Sequence, residues 1–232
     1  MDILDHIRTR RTVRDFKAGA EIEPWKIEAI LESARWAPSP DNRQYWRIIK
    51  VQDPDSKKYI ADMAQEAAKL VFGHANWDIT SGRLWYLPPD KRPAVVEPTA
   101  DGSLFRYSET AHTVFIVCHS DAGVDSLEHV TPGHAPVTST SMAVQNMWLT
   151  ASALGLGGGY NALPIGDDRR KMQLEEKFGI PGGVSPMVCF CVGVPKERRI
   201  VGPSRFPLEG IVFDEYWGNP YKRMMFRGKG GR

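Results

Sequence analysis

Residues 142–154 read Met142-Ala143-Val144-Gln145-Asn146-Met147-Trp148-Leu149-Thr150-Ala151-Ser152-Ala153-Leu154, most of a helix that the pattern places over 137–154. This helix is apolar almost all round. A helix without a polar face belongs at the centre of a fold or in an interface, so the rest of the chain has to be arranged around it. Gly155 follows directly and suits the C′ position. Gly157-Gly158-Gly159-Tyr160-Asn161 comes next and reads as a glycine turn. Beyond it lie a surface helix over Asp167–Phe178 and a core strand over Ser185–Val194.

Upstream, Thr113–His119 reads as a buried strand and Gln44–Val51 as an aromatic, β-branched one. Helices are expected over Asp2–Arg8, with Ile3, Leu4 and Ile7 on one face, over Pro24–Trp36, and from Asp53-Pro54-Asp55-Ser56 to about Phe72. Residues 73–106 and 120–136 are irregular. The first is too long for a simple connection and suggests a lid or a partly helical excursion. Strands and helices alternate without a repeat, which gives one α+β domain over 1–232. The tail over 203–232 is basic and aromatic and suits an arm laid on another surface.

Composition narrows the function. The chain has 232 residues, 42% of them hydrophobic and 25% charged, with a formal net charge of +2. That balance is ordinary for a globular protein and too neutral for a nucleic-acid-binding domain. The longest apolar runs are strand-length, so no membrane partner is expected. Three cysteines, Cys118, Cys189 and Cys191, fit a reducing compartment and not a disulfide framework. The opening residues are not a signal peptide, and a cytoplasmic location is expected. Cys189 and Cys191 share one face of a strand and read as buried thiols. The six histidines are dispersed; His129 and His134 lack companions, and no metal site is expected.

One local cluster stands out from this background. Arg10-Arg11-Thr12-Val13-Arg14 puts three guanidinium groups and a hydroxyl within five positions. Arginine forks match phosphate oxygens and do not titrate. A solvated basic turn would show the same residues.

Further blocks give the cluster a context. Ala37-Pro38-Ser39-x-x-Asn42-Arg43-Gln44-x-Trp46, Ala143–Leu149, Leu154-Gly155-Leu156-Gly157, Val192-Gly193-Val194-Pro195 and Arg205-x-Pro207-Leu208-Glu209-x-Ile211-Val212 follow it in order. The series resembles the nitroreductase superfamily of FMN-dependent oxidoreductases, from residue 3 to about 217. The resemblance implies an α+β fold with a mixed, mostly antiparallel central sheet, flanked by helices. It also implies an intertwined homodimer that exchanges C-terminal arms, with the 137–154 helix in the seam and FMN at the interface.

In that scheme Arg10, Thr12 and Arg205 would grip the FMN phosphate, and Arg11 would support the phosphate or ribityl end. Arg14 would sit by N1 and the C2 carbonyl, where a fixed cation raises the flavin potential. Pro38, Ser39, Pro40 and Asn42 would approach from the other subunit, although Pro40-Asp41 departs from the commoner Ser-Gly-Gly-Asn pattern. Gly158, Gly159, Tyr160 and Asn161 would lie along the ring. Gln145 and Asn146 are expected to make structural hydrogen bonds within the buried helix. Trp77, Trp85 and Tyr86 would stack on an aromatic acceptor: a nitroaromatic, a quinone or an enone. NADH or NADPH would supply hydride, in ping-pong fashion, with no catalytic side chain beyond the flavin.

Three alternatives accompany this reading. One is an oxygen-dependent, flavin-fragmenting 5,6-dimethylbenzimidazole synthase, whose Gln-Asn-x-Trp-Leu helix and Pro-Leu-x-x-x-Val-Phe-x-Glu-x-Trp tail look like residues 145–149 and 207–217. A reductive dehalogenase and a non-enzymatic flavin-binding protein are the others.

Overall fold

β2 (Thr113–Ser120) and β4 (Val184–Gly193) carry the densest apolar runs and pair at the centre of a four-stranded sheet. With β1 (Trp46–Val51) and β3 (Gly157–Asn161) the order is β1-β2-β4-β3, and every pair is antiparallel. The parallel component expected of a mixed sheet is confined, among the described residues, to a single bridge between Thr12 and Gly158. Pro186 has no N–H to give to the ladder; the β2–β4 register shifts between Val117 and Cys118, just before Cys118 meets Pro186. The computed structural model describes residues 2–73, 88–120, 134–197 and 205–221.

Strand alternation builds two cores, one on each side of the sheet. Phe115, Val117, Val188, Phe190 and Val192 point to one face. There they meet Ile27 and Ile30 of the helix Pro24–Arg35 and Ala143, Val144, Met147 and Ala151 of the helix Ala135–Ala153. Val114, Ile116, Cys118, Cys189 and Cys191 point to the other face, against Phe16, Ile60, Tyr107 and Leu174. The result is three layers, helix–sheet–helix. In chain order the helices are α1 (Ile3–Thr9), α2 (Pro24–Arg35), α3 (Pro54–Phe72), α4 (Pro93–Ala100), α5 (Tyr107–Thr110), α6 (Ala135–Ala153) and α7 (Asp168–Phe178).

Most expected elements are present within one or two residues. Asp53 and Asp167 cap α3 and α7 by accepting from the Ser56 and Arg170 amides, and Gly155 (φ 78) follows α6. Three differences have physical causes. Residues 157–161 form a strand and not a turn: three glycines give no local strand signal, and pairing with β4 decides the matter. β1 starts at Trp46, because Gln44 sits at φ 50, outside the extended region. Helix α6 is not enclosed all round. Its Ala143, Met147 and Ala151 side is buried, while Val137, Met142 and Gln145 are exposed. Asn146 Nδ2 donates to the Ser33 carbonyl at 3.1 Å and ties α6 to α2, but Gln145 makes no such buried bond.

The chain divides into two compact units, Met1–Val201 and Gly202–Arg232. In the second, Phe213 packs on Trp217 at 4.5 Å between ring centroids, and Phe213 bridges to Pro220. Phe206, Tyr216 and Trp217 are exposed, Trp217 at 86%. Of the irregular segment 73–106, residues 88–106 hold α4 and two short 3₁₀ turns. Trp77, Trp85, Tyr86 and His129 lie outside the described residues.

All three thiols are free and buried, and burial pushes Cys118 up to about 12 and raises Cys189 and Cys191 as well. A thiolate is the reactive form. The folded protein should therefore give no rapid reaction with an aromatic disulfide reagent, and three thiols per chain once unfolded in guanidinium. A fast-reacting thiol in the folded state would contradict the packing of β2 on β4.

Candidate functional site

The arginine cluster begins where α1 stops. Asp2 opens that helix by accepting from the Asp5 amide at 3.0 Å. Arg11 closes it: its Nη1 donates to the carbonyls of Arg8 at 2.6 Å and Arg10 at 2.8 Å, near the negative end of the helix. The chain then runs extended against the sheet. The Val13 amide donates to the Gly158 carbonyl at 2.9 Å, the Lys17 amide to Val194 at 2.8 Å, and the Lys196 amide to Asp15 at 3.1 Å. Phe16 is fully buried and bridges to Pro195. The cluster is thus pinned at both ends, which a solvated basic turn would not need.

The glycines of β3 make this approach possible. A Cβ on Gly158 would fall 2.6 Å from Cδ1 of Trp148. On Gly159 it would fall 2.6 Å from the Val13 carbonyl oxygen and 2.7 Å from the Tyr107 ring. Both positions therefore have a packing reason to be glycine. Trp148 stacks near-parallel on Tyr160, with centroids 6.3 Å apart, and carries the Arg10 guanidinium 4.1 Å above its centroid. Tyr107 donates its hydroxyl to the Tyr160 carbonyl at 2.8 Å; burial pushes that hydroxyl's pKa well up, so it stays a donor. Asn161 is 1% exposed; its Nδ2 donates to the Phe105 carbonyl and its Oδ1 accepts from the Leu163 amide. Both polar atoms of that side chain are thus engaged within the fold.

A cavity of about 1080 Å³ opens beside this junction, at the upper end of the roughly 300–1,000 Å³ usual for ligand clefts. Arg11, Thr12, Val13 and Arg14 form one side, and Leu154 to Gly158 another. Arg10 is just outside this lining, on Trp148. Sequence reasoning did not find His6, Thr9, Pro98, Ser103 and Glu197, which also line it. They come from four separate stretches with no shared motif. Among the described residues no group of His, Cys, Asp or Glu has metal-holding geometry.

The Pro38–Asn42 loop is elsewhere. It leads into β1, and β1 and β3 are opposite ends of the sheet order, about 14 Å apart at three interstrand spacings. None of its residues lines the cavity. The loop is tightly folded: the Ser39 hydroxyl accepts from the Gln44 amide at 3.0 Å, and Gln44 Nε2 donates to both Asn42 oxygens at 3.2 Å. Asp41, Asn42 and Gln44 have φ of 51, 55 and 50. Such left-handed backbone costs a side chain energy and clusters at functional loops. Arg205 belongs to the second unit and is exposed there.

Comparison with known proteins gives this geometry a family. The family model described as "Nitroreductase family" matches residues 7–194. The FMN reductase (NAD(P)H) of Bacillus subtilis is 24% identical over 220 residues, 94% of this chain and 75% of its own. The 5,6-dimethylbenzimidazole synthase of Rhodospirillum rubrum is 25% identical over 193 residues, 82% of this chain and 80% of its own. Among solved structures, the NADPH:FMN oxidoreductase of Vibrio harveyi in complex with NAD+ superposes with a TM-score of 0.66 at 18% identity, covering 95% of this chain and 78% of that one.

Two sets of substitutions check the local geometry. Gly159→Ala should cost about 2 kcal/mol in guanidinium unfolding, as overpacking does, whereas Gly182→Ala, with nothing within 4 Å of its Cβ, should change little. In the loop, Asp41→Val should cost about 1–2 kcal/mol by thermal denaturation and Asp41→Gly should not destabilise.

Proposed function

The chain belongs to the nitroreductase family, and we propose that it acts as an FMN-dependent oxidoreductase, using NADH or NADPH to reduce a small aromatic acceptor. One observation carries the reading: the pinned arginine segment and the glycine strand form adjoining walls of one large cavity. The donor set fits the cofactor. A phosphate needs guanidinium and hydroxyl donors, which Arg10, Arg11 and Thr12 supply. A flat ring system needs walls without side chains, which the backbone of Gly157 and Gly158 supplies. The buried Trp148 Nε1, packed against Gly158, has no hydrogen-bond partner among the described residues.

When bound, FMN would supply hydride-transfer chemistry between the nicotinamide and the acceptor; the chain's own residues would hold and tune it. Arg10 and Thr12 would hold the phosphate. Arg11 braces the end of α1 and the ribityl side. Arg14, on the cavity wall, would lend a permanent positive charge to the bound flavin, on which reduction builds negative charge. Donor and acceptor use the same cavity in turn, in ping-pong order. The nitroaromatics, quinones and enones are the acceptor class, with Trp77, Trp85 and Tyr86 as stacking partners.

The reading includes a homodimer, which the sheet order supports. The strained loop with Pro38, Ser39, Pro40 and Asn42 is on the wrong edge to reach the cavity of its own chain, so a second copy brings it there. The exposed Ile3, Leu4 and Ile7 on α1, Val137 and Met142 on α6, and Phe206, Tyr216 and Trp217 offer apolar surface to such a partner.

The purified protein should bind one FMN per chain and oxidise NAD(P)H when a nitroarene or quinone is present. Arg10→Ala should weaken FMN binding about tenfold, while Arg14→Ala should keep FMN but lower its midpoint potential and slow its reduction. Wild-type affinity and kinetics in both variants would overturn the assignment. The likeness to the R. rubrum enzyme and the 207–217 motif support a second reading; aerobic loss of reduced FMN with 5,6-dimethylbenzimidazole formed would select it.

A further inference from the structure

Arg10 is held in a way that lining a cavity does not require. Its guanidinium carbon is 4.1 Å from the centroid of the Trp148 indole. The indole is itself fixed from several sides. It tilts against Phe190 at 5.7 Å, lies near-parallel to Tyr160 with 14° between the planes, and fills the space that a side chain on Gly158 would take. Gly158 also accepts the Val13 amide hydrogen bond that sets the register of the arginine segment. One glycine therefore locates both the backbone that bears Arg10 and the ring on which its side chain rests.

A cation over a π-face can keep N–H donors at the rim; Nη1 of Arg10 is itself buried, so a phosphate would be met by the rest of the fork. A guanidinium already ordered on a ring loses less freedom when it closes on a ligand. We infer that Trp148 is a positioning residue for Arg10, which holds the guanidinium ready for the phosphate group of FMN. The inference rests on the reading above that Arg10 grips that phosphate. Its effect is confined to the phosphate end: Trp148 sets affinity for the phosphorylated flavin and not for riboflavin.

The test uses the full chain stripped of flavin, titrated with FMN and with riboflavin and read by quenching of flavin fluorescence. Trp148→Leu should weaken FMN about tenfold, the size of a desolvated cation–π contact, and leave riboflavin within twofold. Trp148→Phe, which keeps a smaller ring, should fold and lose about threefold for FMN alone; it decides the matter if the leucine variant does not fold. In an Arg10→Ala background neither change should weaken FMN further. An unchanged preference for FMN over riboflavin in the Trp148 variants, or losses that add to that of Arg10→Ala, would overturn the inference while leaving the FMN reading intact. An Arg10→Ala chain with wild-type preference for FMN would instead overturn the phosphate role of Arg10 itself, and this inference with it.

Discussion

The hydrogen bond from the Val13 amide to the Gly158 carbonyl, at 2.9 Å, is the constraint on which the site depends. It places a charged, extended segment against a strand that pairs with the centre of the sheet. The next residue, Gly159, has no room for a Cβ, which would fall 2.6 Å from the Val13 carbonyl oxygen, and a Cβ on Gly158 would meet Trp148. Register follows from the same contact. A slip of one residue would exchange Thr12 and Val13 between faces and carry the arginines with them.

The second constraint is the order of the strands. With β1 and β3 at opposite ends, a single chain keeps its strained 38–44 loop and its arginine-lined cavity apart. The backbone at Asp41, Asn42 and Gln44 is left-handed, where glycine is the easier choice. The loop is cross-braced by Ser39 and Gln44, and so it is costly to form and well defined. Energy invested in a surface loop far from its own cavity makes sense where the loop serves a neighbour, as in the proposed dimer.

The chemistry available from side chains is narrow. The sheet's three thiols are buried and kept protonated, and the described residues hold no metal cluster. The cavity lining carries Arg11 and Arg14, which neither give nor take a proton at ordinary pH, beside Asp15, Glu197 and His6. The arginine and glycine walls bind and polarise; they do not themselves supply an acid, base or nucleophile. That is the division of labour expected when a cofactor carries the reaction and the protein orients and tunes it.

Helices α2, α3, α6 and α7 and strands β1, β2 and β4 were legible in the sequence, because their periods and caps are local properties of neighbouring residues. The arginine cluster was equally legible as a local concentration of positive charge. The tertiary structure alone decided that Gly157–Asn161 is a strand, since glycines carry no preference and pairing with β4 imposes one. It alone showed that Gly158 and Gly159 are glycine because Trp148, Tyr107 and Val13 fill the space beside them, and that the buried Asn161 amide serves the backbone. Local pattern reports what a segment prefers by itself; only packing reports which distant ring occupies the space beside it.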